Sequence, residues 1–354
     1  MTDLEKLCSR VTEAADCAVI TDDVNRRYFT AMKSSAGTLV AFPEKAYFII
    51  DFRYIEKAKK TVTACEVILQ DKLYEQINSL IEKHGAKTVS VNADTCTLSE
   101  LIAYQQKLNA EVIADTKLAE IIREIRTVKS QEQIDKIIKA QRIAEKGFAH
   151  MLDFIKVGRT EKEIQLELDY YMLKNGAEAL SFDTIALSGS NTSLPHGVPS
   201  DQKVESGEFV LMDFGATYDG WHSDMTRTVC VGKPSDKMKS VYETVLNAQL
   251  SALDAVKAGM SGKELDKIAR DIITDAGYGD NFGHSLGHGV GVEIHESPYA
   301  SPSREDILPE NSIVTVEPGI YLEGKFGVRI EDFVVVTENG CINMTKAPKE
   351  LICL

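Results

Sequence analysis

The stretch Phe282-Gly-His-Ser-Leu-Gly-His-Gly-Val-Gly-Val-Glu-Ile-His-Glu296 sets His284, His288 and His295 among Gly283, Gly287, Gly289 and Gly291. A helix is costly here, because each interior glycine gives up about 1 kcal/mol against alanine. The expectation is an extended or tightly turned backbone, open to close approach by a ligand. Glycine-flanked imidazoles ahead of acidic strand residues suit a metal or acid–base site. Taken alone, the stretch reads equally well as a glycine-rich loop with surface histidines, so its meaning depends on what surrounds it.

Four acids outside the stretch decide the matter. Phe209-Val-Leu-Met-Asp213-Phe-Gly ends an apolar run on a carboxylate, and Asp224 follows in Ser-Asp-Met-Thr-Arg-Thr ahead of Val229-Cys-Val. Ser312-Ile-Val-Thr-Val-Glu317-Pro-Gly and Val328-Arg-Ile-Glu331-Asp-Phe-Val-Val-Val repeat the two arrangements. Singly, each acid reads as a turn cap or surface group, Glu331-Asp332 as an exposed pair and Arg329 as a salt-bridge partner. Together they repeat one device, and a buried carboxylate is expensive unless it is paired or binds a cation. Four carboxylates with one imidazole supply an oxygen-rich ligand set that suits Mn, Co, Fe or Zn. There is no His-Glu-x-x-His, and the cysteines are too dispersed for a thiolate site. His196, in Leu194-Pro-His-Gly197, is either exposed or site-lining. His84 is lone and reads as a surface residue, whereas His150 and His222 (beside Trp221, the only tryptophan) read as structural.

Composition bounds the rest. With 354 residues the chain is long enough for two domains. Its 40 Lys and Arg against 54 Asp and Glu leave a formal net charge of −14, which argues against a nucleic-acid backbone as partner. No run of eighteen apolar residues marks a membrane span, and the charged start Met-Thr-Asp-Leu-Glu-Lys has no signal-peptide core. Seven scattered cysteines read as reduced thiols of a cytoplasmic protein.

Residues 1–126 alternate short apolar runs with amphipathic ones. Strands are expected at Gly37–Phe42, Ala46–Asp51, Cys65–Leu69, Thr88–Asn92 and Ala110–Asp115. Helices are expected at Arg53–Lys60, Tyr74–His84 and Leu98–Leu108, the last with a Thr97/Glu100 capping box. This is an α/β sheet domain without a nucleotide-binding glycine motif. From residue 127 the pattern changes. A Ser130/Gln133 capping box opens a long amphipathic helix that Gly158 ends, and Thr160/Glu163 opens a second reaching about Lys174. Short strands and turns follow, then helices near Asp236–Lys257 and Ser261–Ala276, then more strands. Helix pair, strands, helix pair, strands suggests two similar halves.

These motifs, namely Asp213-Phe-Gly, Ser223-Asp224-Met-Thr-Arg-Thr, His284-Ser-Leu-Gly-His288-Gly-Val-Gly, Glu317-Pro-Gly and Arg329-Ile-Glu331-Asp, resemble the proline-specific metallopeptidases of the pita-bread fold. That group comprises aminopeptidase P (Xaa-Pro aminopeptidase) and prolidase (Xaa-Pro dipeptidase), relatives of methionine aminopeptidase. Asn25-Arg-Arg-Tyr-Phe-Thr and Asp51-Phe-Arg-Tyr look like the N-terminal domain of such enzymes, and Arg126-Thr-Val-Lys-Ser130 like the junction. The resemblance implies an α+β pita-bread catalytic domain over 127–354, preceded by a smaller α/β creatinase-type domain over 1–126. It implies two divalent metal ions, manganese foremost, with cobalt, zinc or iron as alternatives. Asp213 would bind one ion and His288 the other, Asp224 and Glu331 would approach both, and Glu317 would bind the second and shuttle a proton. His196, His284 and His295 would line the substrate cleft, and His196 or His295 would protonate the leaving nitrogen. Arg329 would orient the substrate or the ligands. The expected substrate is a peptide with proline second and the expected assembly a homodimer. An aminopeptidase is favoured over a dipeptidase because nothing obvious closes the far side of the cleft. Methionine aminopeptidase fits less well, given the extra N-terminal residues. Creatinase-like hydrolases and non-enzymatic binding proteins of this fold lack the ligand set present here.

Overall fold

The computed structural model describes residues 1–354, in two compact units, Met1–Arg126 and Thr127–Leu354. In the first, β1 (Cys17–Ile20), β2 (Thr38–Ala41), β3 (Ala46–Ile50), β4 (Glu66–Leu69), β5 (Thr88–Val91) and β6 (Glu111–Ile113) form one sheet in the order β4-β3-β2-β1-β5-β6. Helices α1 (Asp3–Arg10), α2 (Asp23–Thr30), α3 (Ile55–Thr61), α4 (Leu73–His84), α5 (Leu98–Lys107) and α6 (Lys117–Thr127) accompany it. Alternate strand residues serve opposite faces, as the pleat requires. Ala18, Ile20, Phe48 and Ile50 pack with α1, α2 and α6, whereas Cys17, Val19, Tyr47 and Ile49 pack with α4 and α5. Both faces are covered, so the central strands are mostly apolar and do not alternate, with Thr38 and Ser90 as buried polar exceptions. Strand β1, which pairs with both β2 and β5, is only Cys-Ala-Val-Ile; so short an unalternating run carries no period of its own. His84 stacks on Phe42 at 4.1 Å and meets the Tyr47 hydroxyl at 2.9 Å, so its role is structural.

The second unit carries two helix pairs. α7 (Gln131–Phe154) and α8 (Glu161–Lys174) pack behind a sheet of β8 (Ile185–Ser188), β9 (Glu208–Phe214) and β12 (Met225–Val231). Small strands β7 (Ala179–Leu180), β10 (Ala216–Tyr218) and β11 (Trp221–His222) form a separate ribbon. α9 (Asp236–Ala255) and α10 (Gly262–Asp275) pack behind the later strands. These are β13 (Gly287–Gly289), β14 (Glu296–Ala300), β15 (Ile313–Val316), β16 (Gly319–Leu322), β17 (Phe326–Arg329), β18 (Asp332–Thr337) and β19 (Gly340–Asn343). Among them β15-β18-β19, β13-β14 and β16-β17 make three sheets. Capping boxes at Ser130/Gln133, Thr160/Glu163 and Ser261/Glu264 start α7, α8 and α10. Helix α7 stops at Phe154 with Ile155 as its cap; Gly158, at φ +90°, belongs to the turn that follows. His150 stacks on Tyr171 and bonds Glu167 at 2.7 Å, a helix-pair contact.

Candidate metal centre and active site

Two antiparallel pairs bring the acids together. β9 pairs with β12, Asp213 opposite Thr226, and β15 pairs with β18, Val316 opposite Asp332. Asp213 therefore lies near the end of β9 and Asp224 just ahead of β12. Glu317 lies just past β15 and Glu331 just ahead of β18. The Glu331 N–H donates to the Thr226 carbonyl at 3.2 Å, which joins the two pairs at this end. β13 enters alongside, because the His288 N–H donates to Thr315 Oγ1 at 3.0 Å and the Glu317 N–H to the Leu286 carbonyl at 2.9 Å.

Asp224, His288 and Glu331 each offer a ligand atom within 4.8 Å of the others. His288 Nε2 is 3.3 Å from Glu317 Oε1 and 3.6 Å from Asp224 Oδ2. Its Nδ1 lies 3.0 Å from the Gly289 carbonyl, so Nδ1 carries a proton and Nε2 is the atom turned to the acids. Asp213 Oδ2 accepts from Arg329 Nη2 at 2.6 Å, and Glu331 Oε2 from Thr226 Oγ1 at 2.8 Å. Their other oxygens, Asp213 Oδ1 and Glu331 Oε1, are buried with no partner at all. Orphaned carboxylate oxygens are costly in a protein interior. Two of them beside an imidazole and two further acids make a donor set that fits divalent cations.

The electrostatics show the same strain. Burial, and then the charge of Asp213, pushes Asp224 well above the usual carboxylate range. Burial, and then Asp224 and Glu317, does the same to Glu331. Asp213 is raised by burial against the pull of Arg329. Burial would also raise Glu317, but its hydrogen bond and charge contact with His288 outweigh it and hold Glu317 at about 2. The same contact, against burial, lifts His288 to about 9.

Around this centre, Arg329 Nη1 donates to the Tyr321 hydroxyl at 2.7 Å, which lies 2.9 Å from His284 Nε2. His284 Nδ1 donates to the Ser285 carbonyl, so Nε2 accepts from Tyr321. Burial lowers His284 below the usual imidazole value, keeping it neutral in this chain of bonds. His295 meets the His288 ring edge-on at 4.4 Å and is lowered by burial and by that neighbour. His196 is exposed on its turn, and its charge bears on both His284 and His295. His222 sits on β11, its N–H bonded to the Gly291 carbonyl, and is not among the clustered donors.

Two expectations need correction. Glu331 and Asp332 are not an exposed pair: they are 1 % and 0 % exposed, and Asp332 receives Arg227 Nη2 at 2.7 Å and also Lys349 Nζ. The glycines around His288 mainly admit the protein's own backbone. A Cβ on Gly287 would lie 2.0 Å from the Thr315 carbonyl oxygen, and one on Gly289 2.4 Å from that of Ser297. On Gly291 it would lie 2.2 Å from Glu296 Oε1. Sequence reasoning also passed over Thr226, Arg227 and Tyr321. The first two lie inside Ser-Asp-Met-Thr-Arg-Thr, where a hydroxyl and a guanidinium on a buried strand were the available signal.

Comparison with known proteins agrees with this architecture. Residues 135–338 match the model of metallopeptidase family M24, and residues 4–128 that of the creatinase/prolidase N-terminal domain. The chain is 40 % identical to the Xaa-Pro dipeptidase of Pyrococcus furiosus over 352 residues, 99 % of each chain. It superposes on the Xaa-Pro dipeptidase from Bacillus anthracis with a TM-score of 0.95 at 41 % identity, covering 99 % of both. For the X-Pro aminopeptidase from Thermotoga maritima the values are 0.91 and 38 %, covering 96 % of this chain and 98 % of the other. With its buried carboxylate–histidine cluster and its preceding α/β domain, the chain belongs to metallopeptidase family M24, in the pita-bread group of Xaa-Pro peptidases, and is a divalent-metal peptidase.

Proposed function

We propose that the chain is a dinuclear exopeptidase that hydrolyses the Xaa–Pro bond of peptides with proline in second position, dipeptides foremost. The observation that carries this reading is the pair of unpartnered buried oxygens, Asp213 Oδ1 and Glu331 Oε1, flanking Asp224, His288 and Glu317. Asp213 would hold one ion, His288 and Glu317 the second, and Asp224 and Glu331 both. Manganese is the proposed metal, because the donor set is rich in oxygen, has one imidazole and lacks thiolate. Such a pair, when bound, activates a water near neutral pH and polarises the scissile carbonyl.

The protein's own groups supply the rest. The Glu317 carboxylate would take the water's proton and deliver it towards the proline nitrogen. That nitrogen leaves as a secondary amine and must be protonated, which His295 or His196 would assist. His284, fixed by Tyr321, and Arg329 would orient the peptide. The sequence expectation that nothing obvious closes the far side of the cleft favours an aminopeptidase, but the named activities of the Pyrococcus furiosus and Bacillus anthracis relatives weigh towards a dipeptidase. The Thermotoga maritima relative keeps the aminopeptidase as second reading. Seven free cysteines support a reducing, cytoplasmic setting, and no helix is long and apolar enough to cross a membrane. The family resemblance supports a homodimer, which a monomeric mass in solution would contradict.

The test compares turnover of an Xaa-Pro dipeptide with an Xaa-Pro-Yaa tripeptide in added manganese. Faster dipeptide cleavage is expected; a preference for the tripeptide restores the aminopeptidase. Glu317→Ala and Asp224→Asn should each lose bound metal and activity, and full turnover in either would refute the assignment.

A further inference from the structure

Glu161, the first residue of α8, is fully buried, and nothing in the proposed chemistry uses it. Its Oε1 accepts from the Ser188 N–H at 2.7 Å, Ser188 Oγ at 3.3 Å and Asn191 Nδ2 at 3.1 Å. Its Oε2 accepts from the Ser200 N–H at 2.9 Å, Ser200 Oγ at 2.7 Å and Asn191 Nδ2 at 3.2 Å. Two backbone amides and a side-chain amide can only donate here, so only a group with two acceptor oxygens satisfies them all. The charge also sits in the first turn of α8, where the helix dipole favours it.

These partners are the two ends of one segment, Ser188–Ser200. Its exposed centre, Leu194 to Val198, carries His196, whose charge bears on His284 and His295. The same segment is tied to the site in its middle. The Gly327 N–H donates to Thr192 Oγ1 at 2.8 Å, and Arg329 Nη1 to the Pro195 carbonyl at 3.3 Å. We propose that Glu161 is a positioning residue: its carboxylate clamps both ends of the Ser188–Ser200 segment and so presents His196 to the substrate. This rests on the function proposed above.

The test is Glu161→Gln in the manganese-loaded enzyme. The amide keeps the shape but turns one acceptor into a donor that faces an N–H whichever way it is flipped. An orphaned buried donor of this kind should raise KM for an Xaa-Pro dipeptide about tenfold, with bound metal at the wild-type level. Combined with His196→Ala, it should add little to the effect of His196→Ala alone, because both act through one imidazole. Additive effects, or loss of metal in step with KM, would overturn the proposal. If Glu161→Gln does not fold, Asn191→Ala removes two of the six bonds and carries the same test, with a rise of about threefold in KM. Amide exchange over residues 189–198 reads the clamp without substrate. Unchanged exchange overturns the clamp; faster exchange beside a wild type that cleaves no Xaa-Pro peptide overturns the function instead.

Discussion

Replacing Thr226 by valine tests how far the metal centre depends on a residue that touches no substrate. Thr226 is fully buried; its hydroxyl donates to Glu331 Oε2 at 2.8 Å and accepts from Arg329 Nε at 3.0 Å. Valine fills the same space and removes both bonds. Glu331, whose Oε1 already has no partner, is then left with neither oxygen satisfied, and Arg329 loses the acceptor for its Nε. The bond to the Arg329 guanidinium is worth about 1.5–3 kcal/mol and that to Glu331, protonated without metal, about 0.5–1.5, so the metal-free protein should lose about 2–4 kcal/mol. In the loaded protein the cost appears as ligand disorder. Loss of a group that orients a ligand typically lowers metal affinity 10–100-fold, about 1.4–2.7 kcal/mol. Calorimetric titration of the metal-free variant with manganese measures the affinity, and urea unfolding with and without metal measures the stability. A variant that binds manganese as tightly as the wild type would show that Glu331 needs no fixed orientation and would refute the argument.

Two further outcomes are expected. In the metal-free protein, stability should fall as pH rises from about 7 to 9, above the range in which the lowered His284 and His295 act oppositely, and manganese should remove most of that slope. Asp224 and Glu331 have folded values raised by burial, so above the ordinary carboxylate range the folded state holds protons the unfolded chain has lost, and stability drops. His288, lifted to about 9, adds stability that is complete below its ordinary value and is lost as pH climbs through 9. Glu317, held at about 2, acts oppositely, but its contribution is complete above the ordinary value for a glutamate and fades only in acid. Thermal melts in chelator across this range check it; a melting point that rises with pH would contradict it. Gly287→Ala should destabilise the catalytic domain by about 3 kcal/mol or more, because its Cβ would lie 2.0 Å from the backbone oxygen of Thr315. An unchanged urea midpoint would mean that β13 and β15 separate at no cost.

Much of the chain is legible without coordinates, and the legible parts share a cause. The capping boxes at Thr97/Glu100, Ser130/Gln133, Thr160/Glu163 and Ser261/Glu264 all start helices, because each is a bond between residues three apart. The glycine content of Phe282–Glu296 argues against a helix, and only Gly287–Gly289 and the strand from Glu296 are regular there. The acids drew notice because a carboxylate at the end of an apolar run is energetically conspicuous wherever the chain goes next.

What the sequence could not decide are the choices between partners distant along the chain. Strand β1 is held on both sides by strands from elsewhere, and its four residues announce neither. Asp332 looks like a surface residue until Arg227, 105 positions away, is placed on it. Thr226 reaches Glu331 across the same span, and Glu161 gathers partners up to 39 residues ahead of it. The five candidate donor residues and their order stand in the sequence itself. Which of their oxygens are bonded, which stay orphaned and which imidazole nitrogen faces them depend on burial and on neighbours that only the folded backbone brings within a few ångströms.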